Sequence, residues 1–349
     1  LACMSPWWHA GLWGQYRQPW RRAFWRASKI VTKPTLPLVG GDVRLPWTRR
    51  AIRHGVRLVR DNRIDMIWAT APYAGNLVAA QRISEQTGVP YVVDFRDVKN
   101  ITDPDSLRGP DRRLFEAEKR AVENAAGITY VAPDQIETLR QTYPGCRQTP
   151  SCLVYNWFEQ AENDALPVGS FQRPTMLYGG TIYGGTRRID GLFEALAMRS
   201  KRDGRDDAGL QLRLYCPAGD RPHIAELTGR HELDGVVGVE GLIPLDEFQS
   251  ASRGADILLM VVGRSSGTQE HAKAIPGKLF DYLAAGRPVL VVGPEGCVAG
   301  QMIEDLNRGI WALDDQPEEI ARAIDMLLAG QGRRGPLDLS PEAVSEYEG

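Results

Sequence analysis

Lys278 and Asp281 stand three positions apart in EHAKAIPGKLFDYLAAGRPVL, residues 270–290. On a helix that spacing puts both on one face. A cation suits a phosphate, and a carboxylate suits paired sugar hydroxyls. Together they suggest a site for a nucleotide sugar. The competing reading makes both surface residues of an amphipathic helix whose core side is Leu279 and Leu283. A second stretch, 179–188, reads GGTIYGGTRR. Glycines let backbone N–H groups approach a phosphate at a helix start, and arginine adds a charge-assisted contact. Gly180, Thr181, Arg187 and Arg188 are its candidate ligands. It is neither a Walker A loop nor GxGxxG, and a tight turn with two exposed arginines is the alternative. A third stretch, Asp94-Phe95-Arg96-Asp97, crowds three charges at a strand end. Such charges are costly unless they pair with one another or face a cleft.

These residues need elements to hold them. The apolar run 257–262 predicts a buried strand. A glycine-bearing loop follows, then a helix over 278–285 that Gly286 ends, then a strand from Pro288. Strands and helices alternate in this way along most of the chain, from DMIWA at 65–69 to a helix over 317–328. The rhythm predicts parallel sheets with helices on both faces, and in such sheets ligands bind beyond the carboxyl ends of the strands. The expected division is residues 1–160 as one doubly wound domain, a polar linker over 161–174, a second such domain over 175–330, and a polar tail over 331–349. The short apolar strand and glycine loop that open most doubly wound domains are not found; the expectation is that the N-terminus is incomplete or the first unit is replaced.

The 349 residues have ordinary apolar and charged fractions for a globular protein. The five cysteines form no CxxC pair, and no zinc-ligand spacing occurs, so reduced thiols in a cytoplasmic protein are expected. No apolar run is long enough to span a bilayer, and no signal peptide is read. Net charge is −2, but residues 1–60 hold 12 Lys and Arg against one acid. A basic start on an otherwise acidic chain points to an anionic partner. Within it, residues 17–33 place Trp20 and Phe24 near one helix face and Arg22 and Arg26 near another. This pattern suits an anionic membrane surface, or an aromatic face packed on the chain's own domain, with about equal weight. Nucleic acid is disfavoured, since no reading motif for it occurs. Residues 48–62 read as a further amphipathic helix, a solvated arginine side over a core side.

PGKLFDYLAAGRP at 276–288 resembles the nucleotide-binding segment of GT-B glycosyltransferases of the retaining, GT4-like group. PYVVDFRD at 90–97, VYN at 154–156 and YGGTIYGGTRRIDGLFEAL at 178–196 match that group in order. The resemblance covers about residues 60–330. It implies two Rossmann-like domains facing a cleft and a hexosyltransferase that needs neither metal nor cofactor. The donor would be a nucleotide diphosphate sugar. The acceptor would be lipid-linked, a cell-surface glycan or a secondary metabolite, and the configuration at the sugar would be retained. It further implies Asp281 as the ribose ligand where Glu is commoner, and Lys278 with Arg188 or Arg187 as ligands of the diphosphate. Glu270 is the nearest counterpart of the glutamate that contacts the donor sugar, although the usual E-x7-E spacing is absent. Arg96, followed by Asp97, stands where many members have His. A nucleotide-sugar 2-epimerase of the same fold is a second reading, disfavoured because none of the five histidines ends an N-domain strand. A non-catalytic scaffold of this fold, anchoring a partner enzyme at the inner face of the membrane, is a third.

Overall fold

The structure is a computed structural model that describes residues 45–71, 73–96, 104–182, 187–203, 209–263 and 272–349. The chain divides into two compact units. The first comprises residues 1–129 and 136–152, the second 130–135 and 153–349.

The first unit opens with α1 (Leu45–Asp61), followed by β1 (Ile67–Ala71), α2 (Ala74–Thr87) and β2 (Tyr91–Phe95). Next come α3 (Gly109–Glu123), β3 (Gly127–Tyr130), α4 (Gln135–Thr142) and β4 (Ser151–Leu153). The strands lie in the order β1-β2-β3-β4, with β1 and β2 parallel. Gly88 closes α2 in the left-handed region at φ 76°, where its N–H caps Ser84 O. Glycine reaches that conformation without the Cβ penalty. The carboxyl ends of the strands are tied by one carboxylate. Asp94, 1% exposed, accepts hydrogen bonds from the hydroxyls of Thr129 (2.8 Å) and Thr70 (3.2 Å) and from Arg96 Nε (2.8 Å). A buried charge survives because it is paired and hydrogen-bonded. An Arg96–Asp94 ion pair is thus present at this strand end.

The second unit holds α5 (Gln160–Asp164), β5 (Thr175–Gly179), α6 (Asp190–Asp203), β6 (Gln211–Tyr215), α7 (Arg221–Arg230) and β7 (Val237–Glu240). It continues with α8 (Leu245–Gly254), β8 (Ile257–Val261), α9 (Lys278–Ala285), β9 (Val289–Gly293), α10 (Val298–Asp305), β10 (Gly309–Leu313) and α11 (Pro317–Leu328). Its six strands pair in parallel in the order β10-β9-β8-β5-β6-β7. β8 (ILLMV) and β9 (VLVVG) are buried along their whole length, as central parallel strands covered on both faces must be. Each such Leu, Ile or Val contributes about 2 kcal/mol of burial.

The stretch expected as a linker is fastened to this unit. Asn163 donates to Ala284 O at 2.8 Å, Gly169 N–H to Ser250 O at 2.8 Å, and Arg173 to Gly209 O at 2.8 Å. The stretch expected as a tail is also structured. It forms the ribbon β11 (Gln331–Gly332) with β12 (Gly335–Pro336) and a 3-10 turn, Pro341–Tyr347. Tyr347 packs edge-on against Tyr155 and Phe280. Among the described residues no helix is long and apolar enough to cross a membrane.

Candidate functional site

The strand order of the second unit has one reversal. From β5 the chain moves outward through β6 and β7, then returns to place β8 on the other side of β5. The crevice beyond the carboxyl ends of two such strands is where doubly wound sheets take ligands. The segments leaving β5 and β8 here are the glycine loop after Gly179 and the chain that leads into α9.

Tyr178, fully buried near the end of β5, organises the site. Its phenol donates to Thr181 O at 3.0 Å. Arg187 Nη1 donates to the same phenol oxygen at 2.7 Å and to Thr181 O at 2.8 Å. The Lys278 ammonium lies 4.1 Å from the centre of the Tyr178 ring and donates to Gly179 O at 3.3 Å. Two cations from segments about 90 residues apart in sequence thus meet on one tyrosine. Burial, and then the charge of Arg187, push the Lys278 ammonium well below the ordinary lysine value. Lys278 forms no ion pair with any described residue. Among the described residues, then, Lys278 is a desolvated cation beside a second cation, with no carboxylate paired to it.

Local backbone supports this. Gly180 has φ 135°, a region unfavourable to other residues, and its N–H binds Tyr215 O. A Cβ there would lie 3.6 Å from both Lys278 Nζ and the Tyr178 oxygen. Glycine therefore leaves the ground beside Lys278 clear. The loop is pinned by Ile182 N–H on the carboxylate of Asp220 at 2.8 Å. Gly179 is required by close approach, since a Cβ would meet the Phe248 ring at 2.3 Å.

α9 begins at Lys278 and is closed by Gly286 in the left-handed region. Asp281 accepts from Gln249 of α8 at 3.3 Å, and burial raises its carboxyl above the ordinary value. Tyr282 on the same helix donates to Leu259 O at 3.1 Å and locks α9 to β8.

Of the residues singled out in the sequence, Gly180, Thr181, Arg187 and Lys278 are brought together. Asp281 lies on the same helix as Lys278, half-buried. Arg188 is exposed, and α6 starts only at Asp190, so Arg187 is the arginine that turns onto Tyr178. Arg96 is engaged with Asp94 in the first unit. Asp97, Glu270, Trp20, Arg22, Phe24 and Arg26 lie outside the described residues. Sequence reasoning missed Tyr178 and Gln249. Tyr178 reads as one more apolar strand residue, and nothing local marks Gln249. No group of three His, Cys, Asp or Glu suited to a metal occurs among the described residues. A groove of about 650 Å³, lined by Arg60, Arg63, Asp65 and Gln86 among others, borders the amino-terminal ends of β1 and β2, away from the carboxyl edge.

Residues 12–157 match the glycosyl transferase 4-like domain family. No curated protein matches the chain in sequence. Solved structures do match in fold. A glycosyltransferase from Rickettsia africae aligns with TM-score 0.64 at 12% identity, over 88% of this chain and 79% of that one. Sucrose-phosphate synthase from Thermosynechococcus elongatus aligns with TM-score 0.61 at 15% identity, over 85% and 72%. A UDP-forming α,α-trehalose-phosphate synthase from Burkholderia xenovorans aligns with TM-score 0.57 at 12% identity, again over 85% and 72%. The 12–157 match makes that part of the chain similar to glycosyl transferase 4-like domains, and these neighbours agree on the architecture: the chain has the GT-B fold.

Proposed function

We propose that the chain transfers a hexosyl group from a nucleotide diphosphate sugar to an acceptor, with retention of configuration and without metal or cofactor. The carrying observation is the convergence of Lys278 and Arg187 on Tyr178 at the reversal between β5 and β8. In this reading the donor diphosphate occupies the ground beside the two cations, within reach of backbone N–H groups near Gly180 and Thr181, with exposed Arg188 at its rim. Asp281 takes the ribose hydroxyls, and Glu270 the donor sugar. As the bond from the anomeric carbon to the diphosphate breaks, its electron pair passes to the phosphate oxygen. Lys278 and Arg187 neutralise that charge, and the incoming acceptor hydroxyl releases its proton to the leaving group. Electrostatic stabilisation of this kind is usually the largest catalytic contribution.

Residues 1–160 are assigned to the acceptor, with Arg96 and Asp97 on that side, residues 175–330 to the donor, and residues 161–174 to the join. The basic start, through Trp20, Arg22, Phe24 and Arg26, holds the protein at the cytoplasmic face of an anionic membrane, where a lipid-linked acceptor would be met. The UDP-forming neighbour supports a nucleotide donor in this fold. Calorimetry with UDP-, GDP- and dTDP-sugars tests the reading. Saturable binding of one donor, with release of its nucleotide on adding acceptor and in the presence of EDTA, is expected. Binding of none would refute donor use and leave a scaffold. Turnover abolished by EDTA would refute metal independence.

A further inference from the structure

The outer face of α1 carries a pattern that the fold does not use. α1 packs on α2 with Gly55 facing Ile83, and its buried residues are Thr48 and Val56. A Cβ on Gly55 would meet Ile83 Cδ1 at 2.3 Å, so the two helices touch closely and the outward face is determined. That face presents Arg49, Arg50, Arg53, Arg57 and Arg60, all exposed. None of the five forms an ion pair with a described residue, and the only acid of the helix is Asp61. Along one edge of the same face stand Trp47, 50% exposed, and Leu58, 56% exposed. They are eleven residues apart, three helical turns, and so lie in line.

An ordinary solvated helix face mixes both signs of charge in i,i+4 pairs and shows few large apolar groups. This one has a single sign and an apolar edge. We propose that the outer face of α1 docks on the surface of an anionic lipid bilayer. The guanidinium groups would meet headgroup phosphates while the Trp47 ring and the Leu58 side chain enter the interfacial layer. A nucleic acid would satisfy the arginines but leave Leu58 without a partner. The surface is separate from residues 17–33, and the proposal does not rest on the glycosyl-transfer reading.

The test is co-sedimentation of the full chain with vesicles of phosphatidylcholine alone or mixed with phosphatidylglycerol. Binding to the anionic vesicles only, weakened by salt, is expected. Arg53→Ala with Arg57→Ala should lower the partition coefficient about 30-fold, at about 1 kcal/mol per charge removed. Trp47→Ala with Leu58→Ser should lower it at high salt, where the charges are screened. All four residues are exposed, so circular dichroism should be unchanged. Donor turnover on a soluble acceptor should also be unchanged, which separates failure here from failure of the catalytic reading. Wild-type partition in the Arg53/Arg57 variant, with binding lost in Arg22→Ala/Arg26→Ala instead, would overturn the proposal. So would equal binding to neutral vesicles, or binding to polyuridylate with none to vesicles.

Discussion

Replacing Lys278 by Met separates the charge of this residue from its packing. Methionine keeps most of the apolar stem, and its volume is close enough for a cost below about 1.5 kcal/mol in the surrounding shell. The substitution loses the hydrogen bond to Gly179 O at 3.3 Å, worth about 1 kcal/mol. It also loses the contact with the Tyr178 ring at 4.1 Å, worth about 1 kcal/mol. Against this, it removes a desolvated ammonium that Arg187 repels, the two causes that hold its pKa down. These contributions offset, so the net change in stability is expected within about 1 kcal/mol, a shift in Tm of about 2–4 °C for a unit of this size. The effect on transfer is of another order. Loss of one group stabilising the leaving diphosphate costs about 3 kcal/mol, roughly 150-fold in kcat. The assay is nucleotide release at saturating donor, beside thermal unfolding of the same preparation. A fall in kcat below about tenfold would refute the role. So would an activity loss that merely follows the fraction of unfolded protein.

Three further outcomes are expected. The Lys278 pKa is lowered in the folded state, so its contribution to stability is fully present above the ordinary value of 10.5 and is lost as pH falls through the lowered value. Donor affinity should run the other way, falling as pH rises through that value, and Lys278→Arg should flatten the profile; a pH-independent KM in the wild type would count against a charged Lys278. Gly309→Ala would set a Cβ 1.9 Å from Val289 O across the β9–β10 ladder, and urea unfolding should show a loss of at least about 2 kcal/mol. Tyr347→Ala empties the edge-on contacts with Tyr155 and Phe280, at 5.3 and 5.7 Å between centroids, and should cost about 3 kcal/mol by the same method.

Several elements were legible because their signals are local. The apolar run before Gly263, the Pro-Gly entry and the Gly286 stop delimit β8, α9 and the start of β9 within a residue or two. The boundaries of α11 agree with the sequence reading at both ends. The joining segment and the C-terminal stretch were less legible. Their polar composition argues for loops, yet Asn163 and Tyr347 each hold a long-range contact that composition does not register. The choice between Arg187 and Arg188 was not legible either. Neighbouring residues of one loop point differently, and only the position of Tyr178 decides which guanidinium turns inward.

The sequence by itself determined the alternation of strands and helices, the glycine loop, and the pairing of Lys278 with Asp281 on one helix. Those features follow from periodicity and from the φ freedom of glycine, which act over a few residues. Only the tertiary structure decided that β8 returns to lie beside β5, and that Lys278 therefore meets Arg187 over Tyr178. Strand order is set by how distant segments bury their apolar faces together. No local spacing records that, so two cations about 90 residues apart meet on one tyrosine only when the sheet is assembled.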